Sequence, residues 1–148
     1  MNTQLEKVLL EICGDNNDAH RFCNAWINYV HRIDDLVDGD LALKPENLVK
    51  TLVNAAEIYS SNFYQQNAQY LYPIVCLVSN DYIDSEILKN DLEPLFLKWA
   101  EYLSFSGIYM LQIVALICGG YDNMRKVSIR LRECSLKDHY NTVTGERI

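Results

Sequence analysis

The 148-residue chain predicts an all-α fold, a single helical bundle of about five to six helices around a central apolar helix. Three observations point to it. Hydrophobic residues make up 49% of the chain and only six Gly and three Pro punctuate it, which leaves few places for turns. Apolar residues recur every three or four positions along most of the length, the period of a helix with one buried side. The run at 74–78 is short and apolar enough for a strand, but no second candidate exists to pair with it.

In chain order, residues 3–13 predict a short amphipathic helix with Leu5, Val8, Leu9 and Ile12 on one face. Residues 14–18 are a turn, and Asp15, Asn17 or Asp18 caps the next helix. That second helix runs from about residue 19 and stops at Gly39. Its apolar arc is Phe22, Trp26, Tyr29, Val30, Ile33, Leu36 and Val37. Roughly opposite lie His20, Asn24, Asn28, His31, Asp34, Asp35 and Asp38, a polar stripe without the Lys and Glu typical of a solvated face.

A loop at 40–44 leads to Pro45, suited to a first helical position, with Glu46 in the first turn. The third helix extends to about residue 63 through Leu48, Val49, Leu52, Ala55, Ala56 and Tyr59. Residues 60–69 are polar and less regular. Residues 70–78 read as helix, started or kinked by Pro73. A break at 79–84 follows, then a helical turn at 84–89. Asn90 with Glu93 has the spacing of a capping box and opens the longest helix, 92–118. This helix is apolar nearly all round, which places it at the bundle centre. Lys98, Glu101, Ser104, Ser106 and Gln112 interrupt it, leaving no clean apolar stretch of about 20 residues and hence no membrane span. Gly119-Gly120 close it. The last helix, 121–140, carries Arg125, Lys126, Arg130, Arg132 and Lys137. Residues 1–140 thus form one domain, with a polar tail at 141–148.

The formal net charge of −7 sets the chain against nucleic acid and anionic membranes. Acidity is concentrated before residue 121: residues 1–120 hold 7 basic and 16 acidic side chains, residues 121–148 hold 6 and 4. Five scattered cysteines, Cys13, Cys23, Cys76, Cys118 and Cys134, lack CxxC pairing and read as buried thiols in a reducing compartment. With no signal-peptide layout at the N-terminus, a cytoplasmic location is expected.

The chemistry is concentrated at the end of the second helix. Asp34, Asp35 and Asp38 fall on one side of it, and three carboxylates that close repel unless a cation lies among them. A hard divalent cation, Mg2+, completed by water and phosphate, suits such a set. His31, Asn28 and Asn24 line the same stripe, and Arg125 and Arg132 are candidates for holding the phosphate. The bland alternatives are a solvated face ahead of a glycine stop and a last helix that merely balances charge. Gly-rich phosphate loops, GxSxG and HExxH are missing.

The run FCNAWINYVHRIDDLVDGD resembles the first aspartate-rich segment of the squalene/phytoene synthase group of all-α isoprenoid synthases. The resemblance rests on Arg32, Asp34, Asp35, Asp38 and Gly39, with Phe22, Ala25 and Trp26 upstream. It implies a reduced synthase-like bundle whose three aspartates hold Mg2+ and a diphosphate-containing small molecule. Members of that group are longer and carry a second aspartate-rich motif, which this chain lacks. Two classes of function follow. One is a Mg2+-dependent enzyme or enzyme-like binder acting on a diphosphate, as a prenyl-diphosphate transferase or lyase or a diphosphohydrolase. The other is a non-catalytic helical accessory protein that works through protein contacts or as a homo-oligomer.

Overall fold

The structure, a computed structural model, describes residues 3–144, with side chains placed through residue 136. Six helices account for it: α1 (Thr3–Cys13), α2 (Asn17–Asp38), α3 (Pro45–Ser60), α4 (Asn62–Leu88), α5 (Pro94–Ser104) and α6 (Ile108–Thr144). No strand occurs among the described residues. Helix α1 packs along α6, α2 touches α1, α3, α4 and α6, and α5 packs on α4. The core gathers Leu9 and Ile12 of α1, Phe22 of α2, Phe63 and Leu71 of α4, and Met110, Val114, Val127 and Leu131 of α6. Phe22 stands at its middle, 5.3 Å from the Phe63 ring and 6.3 Å from that of Tyr64.

Local chemistry sets the helix ends. Asn16, between the expected candidates, caps α2 by accepting a hydrogen bond from the Ala19 N–H at 2.9 Å. Gly39 ends α2 in the left-handed region at φ 84°, where a side chain would be strained. Pro45 opens α3 as expected. Ser61 caps α4, so the polar run 60–69 is helical, apart from a kink at Asn67. Burial of Phe63 and Tyr64 outweighs its weak local pattern. Pro73 lies inside α4, which continues unbroken to Leu88.

The expected helix 92–118 is in fact two. It starts after Glu93, with Pro94 at its first turn rather than a cap at Asn90, and breaks at 105–107. There the Ser104 hydroxyl donates to the Glu101 carbonyl, and the Ser106 hydroxyl lies 2.7 Å from both the Leu103 carbonyl and Asp81 Oδ2 of α4. The Trp26 indole N–H donates to the Gly107 carbonyl and pins the break against α2. The central apolar element is therefore the first part of α6, where Met110, Leu111, Val114 and Ala115 are buried, whereas α5 lies outside. The two meet at 42°, and no single helix among the described residues is long and apolar enough to cross a membrane. Gly120, at φ 78° and ψ −175°, interrupts α6 where the glycine pair predicts a stop. Beyond it α6 runs to Thr144, so residues 141–144 of the expected tail are helical, and 145–148 lie outside the described residues. On α2, Val37 is exposed instead of buried, while Cys23 and Ile27 join the core.

Helix α1 is tied to α6 by a forked pair, Arg130 with both Glu11 oxygens, and Lys126 at 3.8 Å from Glu11. The hydrogen bond from Arg130 holds the Glu11 carboxyl below its ordinary value. A carboxyl depressed on folding stabilises above its unfolded pKa and loses that contribution as pH falls through the lower folded value. Melting temperature should therefore fall less steeply in Glu11→Gln than in the wild type between about pH 5 and about pH 3. Parallel slopes would contradict the pairing.

Candidate functional site

The acidic group of α2 lies at a helix end that disfavours negative charge. Asp34, Asp35 and Asp38 lie near the C-terminal end of α2, and no basic residue is present in its last turn. Glu86 lies in the last turn of α4, which also lacks a base. Both ends are the negative poles of their helix dipoles, so an acid there is disfavoured by about 0.3–1 kcal/mol, even though the last carbonyls of α4 are all bonded, those of Ser85, Ile87 and Leu88 to backbone N–H groups and that of Glu86 to the Asn90 side-chain amide. The fold nevertheless brings Asp34, Asp38 and Glu86 together, with one oxygen of each within 4.8 Å of the others. Asp35 is exposed and outside this group.

The resident cation is Lys89. Its ammonium lies 2.6 Å from Glu86 Oε1 and 3.7 Å from Asp38 Oδ1. Burial disfavours the Lys89 charge, but the hydrogen bond to Glu86 and the charges of Asp38, Glu86 and Asp34 outweigh it and hold its pKa above the ordinary value. The Tyr82 hydroxyl donates to Asp34 Oδ1 at 2.9 Å. Burial first, and that bond second, push the Tyr82 phenol far above its usual range, so it remains a donor. The arrangement ties the end of α2 to the end of α4 and leaves three carboxylates against one ammonium, open to solvent. Because these groups are well exposed, Lys89→Met should cost at most about 1 kcal/mol in urea unfolding, and less in high salt. A loss well above that, insensitive to salt, would contradict this description.

Tyr82, Glu86 and Lys89 are absent from the sequence-based site. Their spacing, i, i+4 and i+7, does mark one polar face of α4, but only the tertiary fold sets that face beside Asp34, 48 residues upstream of Tyr82. The other expected residues scatter. Asn24 bonds the His20 carbonyl at 3.2 Å, and His20 pairs with Glu6 of α1 at 2.9 Å. Asn24 Oδ1 is buried with no protein partner. Asn28, His31 and Arg125 are exposed. Arg32 is turned to α3, donating to Thr51 Oγ1 and the Asn47 carbonyl. Arg132 lines a hollow of about 110 Å³ with Tyr102, Phe105, Ile108 and Tyr109, at the turn between α5 and α6.

A second feature is apolar. Helix α5 buries only Ala100. Along one stripe of it Leu95 is 57% exposed, Phe96 41%, Trp99 52% and Tyr102 50%, and Leu92, in the coil before it, is 93% exposed. Ile83 and Ile87 of α4, the helix on which α5 packs, are also exposed. Single exposed apolar residues are ordinary, but so many along one short helix are not. Comparison with protein families, curated proteins and solved structures finds no match for this chain.

Proposed function

We propose that this is a non-catalytic helical protein that works by self-association, with the outer stripe of α5 as the contact surface. The observation that carries the reading is that an apolar helix inside the chain buries one alanine and presents Leu95, Phe96, Trp99 and Tyr102 to solvent, with Leu92 exposed just before it. Ile83 and Ile87 of α4, the helix on which α5 packs, add further exposed apolar surface, and a standard interface covers roughly 800 Å² per partner. A second copy suits the surface electrostatically. The chain is net −7 and repels itself in general, yet helix α5 itself holds one Lys and one Glu and is neutral, with Asp91 and Glu93 just before it. Closed two-fold pairing is the commonest arrangement of identical chains. Hydrogen exchange at rising protein concentration tests the reading. Amides of α5 should gain protection while those of α1 do not, and concentration-independent exchange along α5 would overturn it.

A second reading is favoured by the convergence of three carboxylates at two negative helix ends: Asp34, Asp38 and Glu86 take Mg2+, with a diphosphate-type ligand completing its shell. Lys89 is the competitor for that place. Mg2+ with and without pyrophosphate should then raise the melting temperature, and more so in Lys89→Met, where no ammonium has to leave. No rise at millimolar Mg2+, or an equal rise in Asp34→Asn/Asp38→Asn, removes this reading.

A further inference from the structure

We propose that Cys13 and Cys23 are an oxidative modification site, which a peroxide converts to an intramolecular disulfide joining the end of α1 to the start of α2. The two sulfurs are 3.9 Å apart and in hydrogen-bond contact. A disulfide needs about 2.05 Å, so the chain must bring the sulfurs closer by roughly 2 Å. The intervening turn permits that movement. Cys13 is the last residue of α1, and Gly14, at φ 53°, has open space around it. Residues 14–17 are exposed. Up to Ile12, α1 is anchored beside α6: the Asn123 side-chain amide donates to the Ile12 carbonyl at 3.1 Å, and Arg130 grips Glu11, so the adjustment falls on Cys13 and the turn after it.

Both thiols are buried, at 3% and 0% exposure, so the reagent must be small and reach Cys13 when the turn opens. The pair is asymmetric. The hydrogen bond with Cys23 lowers the Cys13 pKa, while the same bond and burial raise that of Cys23. Cys13 borders the exposed Gly14 turn, whereas Cys23 lies inside α2, so Cys13 is the thiol a reagent reaches first and the one that attacks. Its sulfur attacks one oxygen of hydrogen peroxide, the O–O bond breaks, and Cys13 sulfenic acid and hydroxide form. The Cys23 sulfur then attacks the sulfenic sulfur, the S–O bond breaks, and the leaving hydroxyl takes the Cys23 proton away as water. Two thiols are oxidised and one peroxide is reduced. Cys118, the third thiol of this region, is raised to about 11 by burial and stays a thiol.

The test treats the reduced full chain with hydrogen peroxide, blocks free thiols, and maps the digest by mass spectrometry. A Cys76→Ser background removes the exposed thiol that would join separate chains. The expected product is one cross-linked peptide pair containing Cys13 and Cys23, two hydrogens lighter than the reduced pair, with a melting temperature several degrees higher. The product should persist in Cys118→Ser. Cys13 and Cys23 both still open to alkylation after oxidation, a Cys13–Cys118 product, or a cross-link formed only in denaturant would each overturn the proposal.

Discussion

Phe22→Ala is expected to remove about 3–5 kcal/mol of stability, the range for truncating a fully buried phenylalanine. Phe22 is 1% exposed and packs on Phe63 and Tyr64, so the mutation opens a cavity where α2 meets α4. A domain of this size has about 5–15 kcal/mol in total, so a large part of its margin disappears. Urea unfolding should show a midpoint lower by at least about 1 M with an unchanged slope. Val37→Ala is the control. It lies on the same arc of the predicted helix, but Val37 is 51% exposed, so a change within about 0.5 kcal/mol is expected. Similar losses at both positions would contradict the described core.

The second large effect concerns association. Leu95→Glu/Trp99→Glu places two acids on each copy in the middle of the apolar stripe, where two-fold pairing sets them near their counterparts. Central aromatic anchors are worth about 2 kcal/mol or more in interfaces, so pairing should weaken at least about 30-fold. Folding should hardly change, because neither side chain is buried in the single chain. The helical circular-dichroism signal and the urea midpoint of the dilute protein check this. An unfolded variant would show that α5 belongs to the core instead, and unaltered association would place the contact elsewhere.

The parts of the fold that were legible in the sequence are those governed by local chemistry. Helix α1 keeps its bounds because its four apolar residues repeat cleanly, and α2 ends at Gly39 because glycine alone takes that backbone turn without strain. The 105–107 break leaves no such mark. Apolar residues continue straight through it, and the stop is made by serine hydroxyls bonding back to carbonyls and by Trp26 from a distant helix. An all-round apolar helix reads as central, yet α5 lies outside; pattern states how much surface a helix has to hide, not whether the same chain hides it. At the acidic site, Asp34 and Asp38 follow from spacing along one helix. Glu86, Lys89 and Tyr82 arrive through the packing of α4 on α2, which no local pattern encodes. In the structure the Lys89 ammonium pairs with Asp38 and Glu86, and Asp34 accepts from Tyr82.

Light scattering on the eluting protein, across a wide range of loading concentrations, addresses the α5 surface most directly. The wild-type mass should rise to about twice that of the 17.1 kDa chain, with Leu95→Glu/Trp99→Glu held at the single-chain value. A wild-type mass of one chain at every concentration would contradict it.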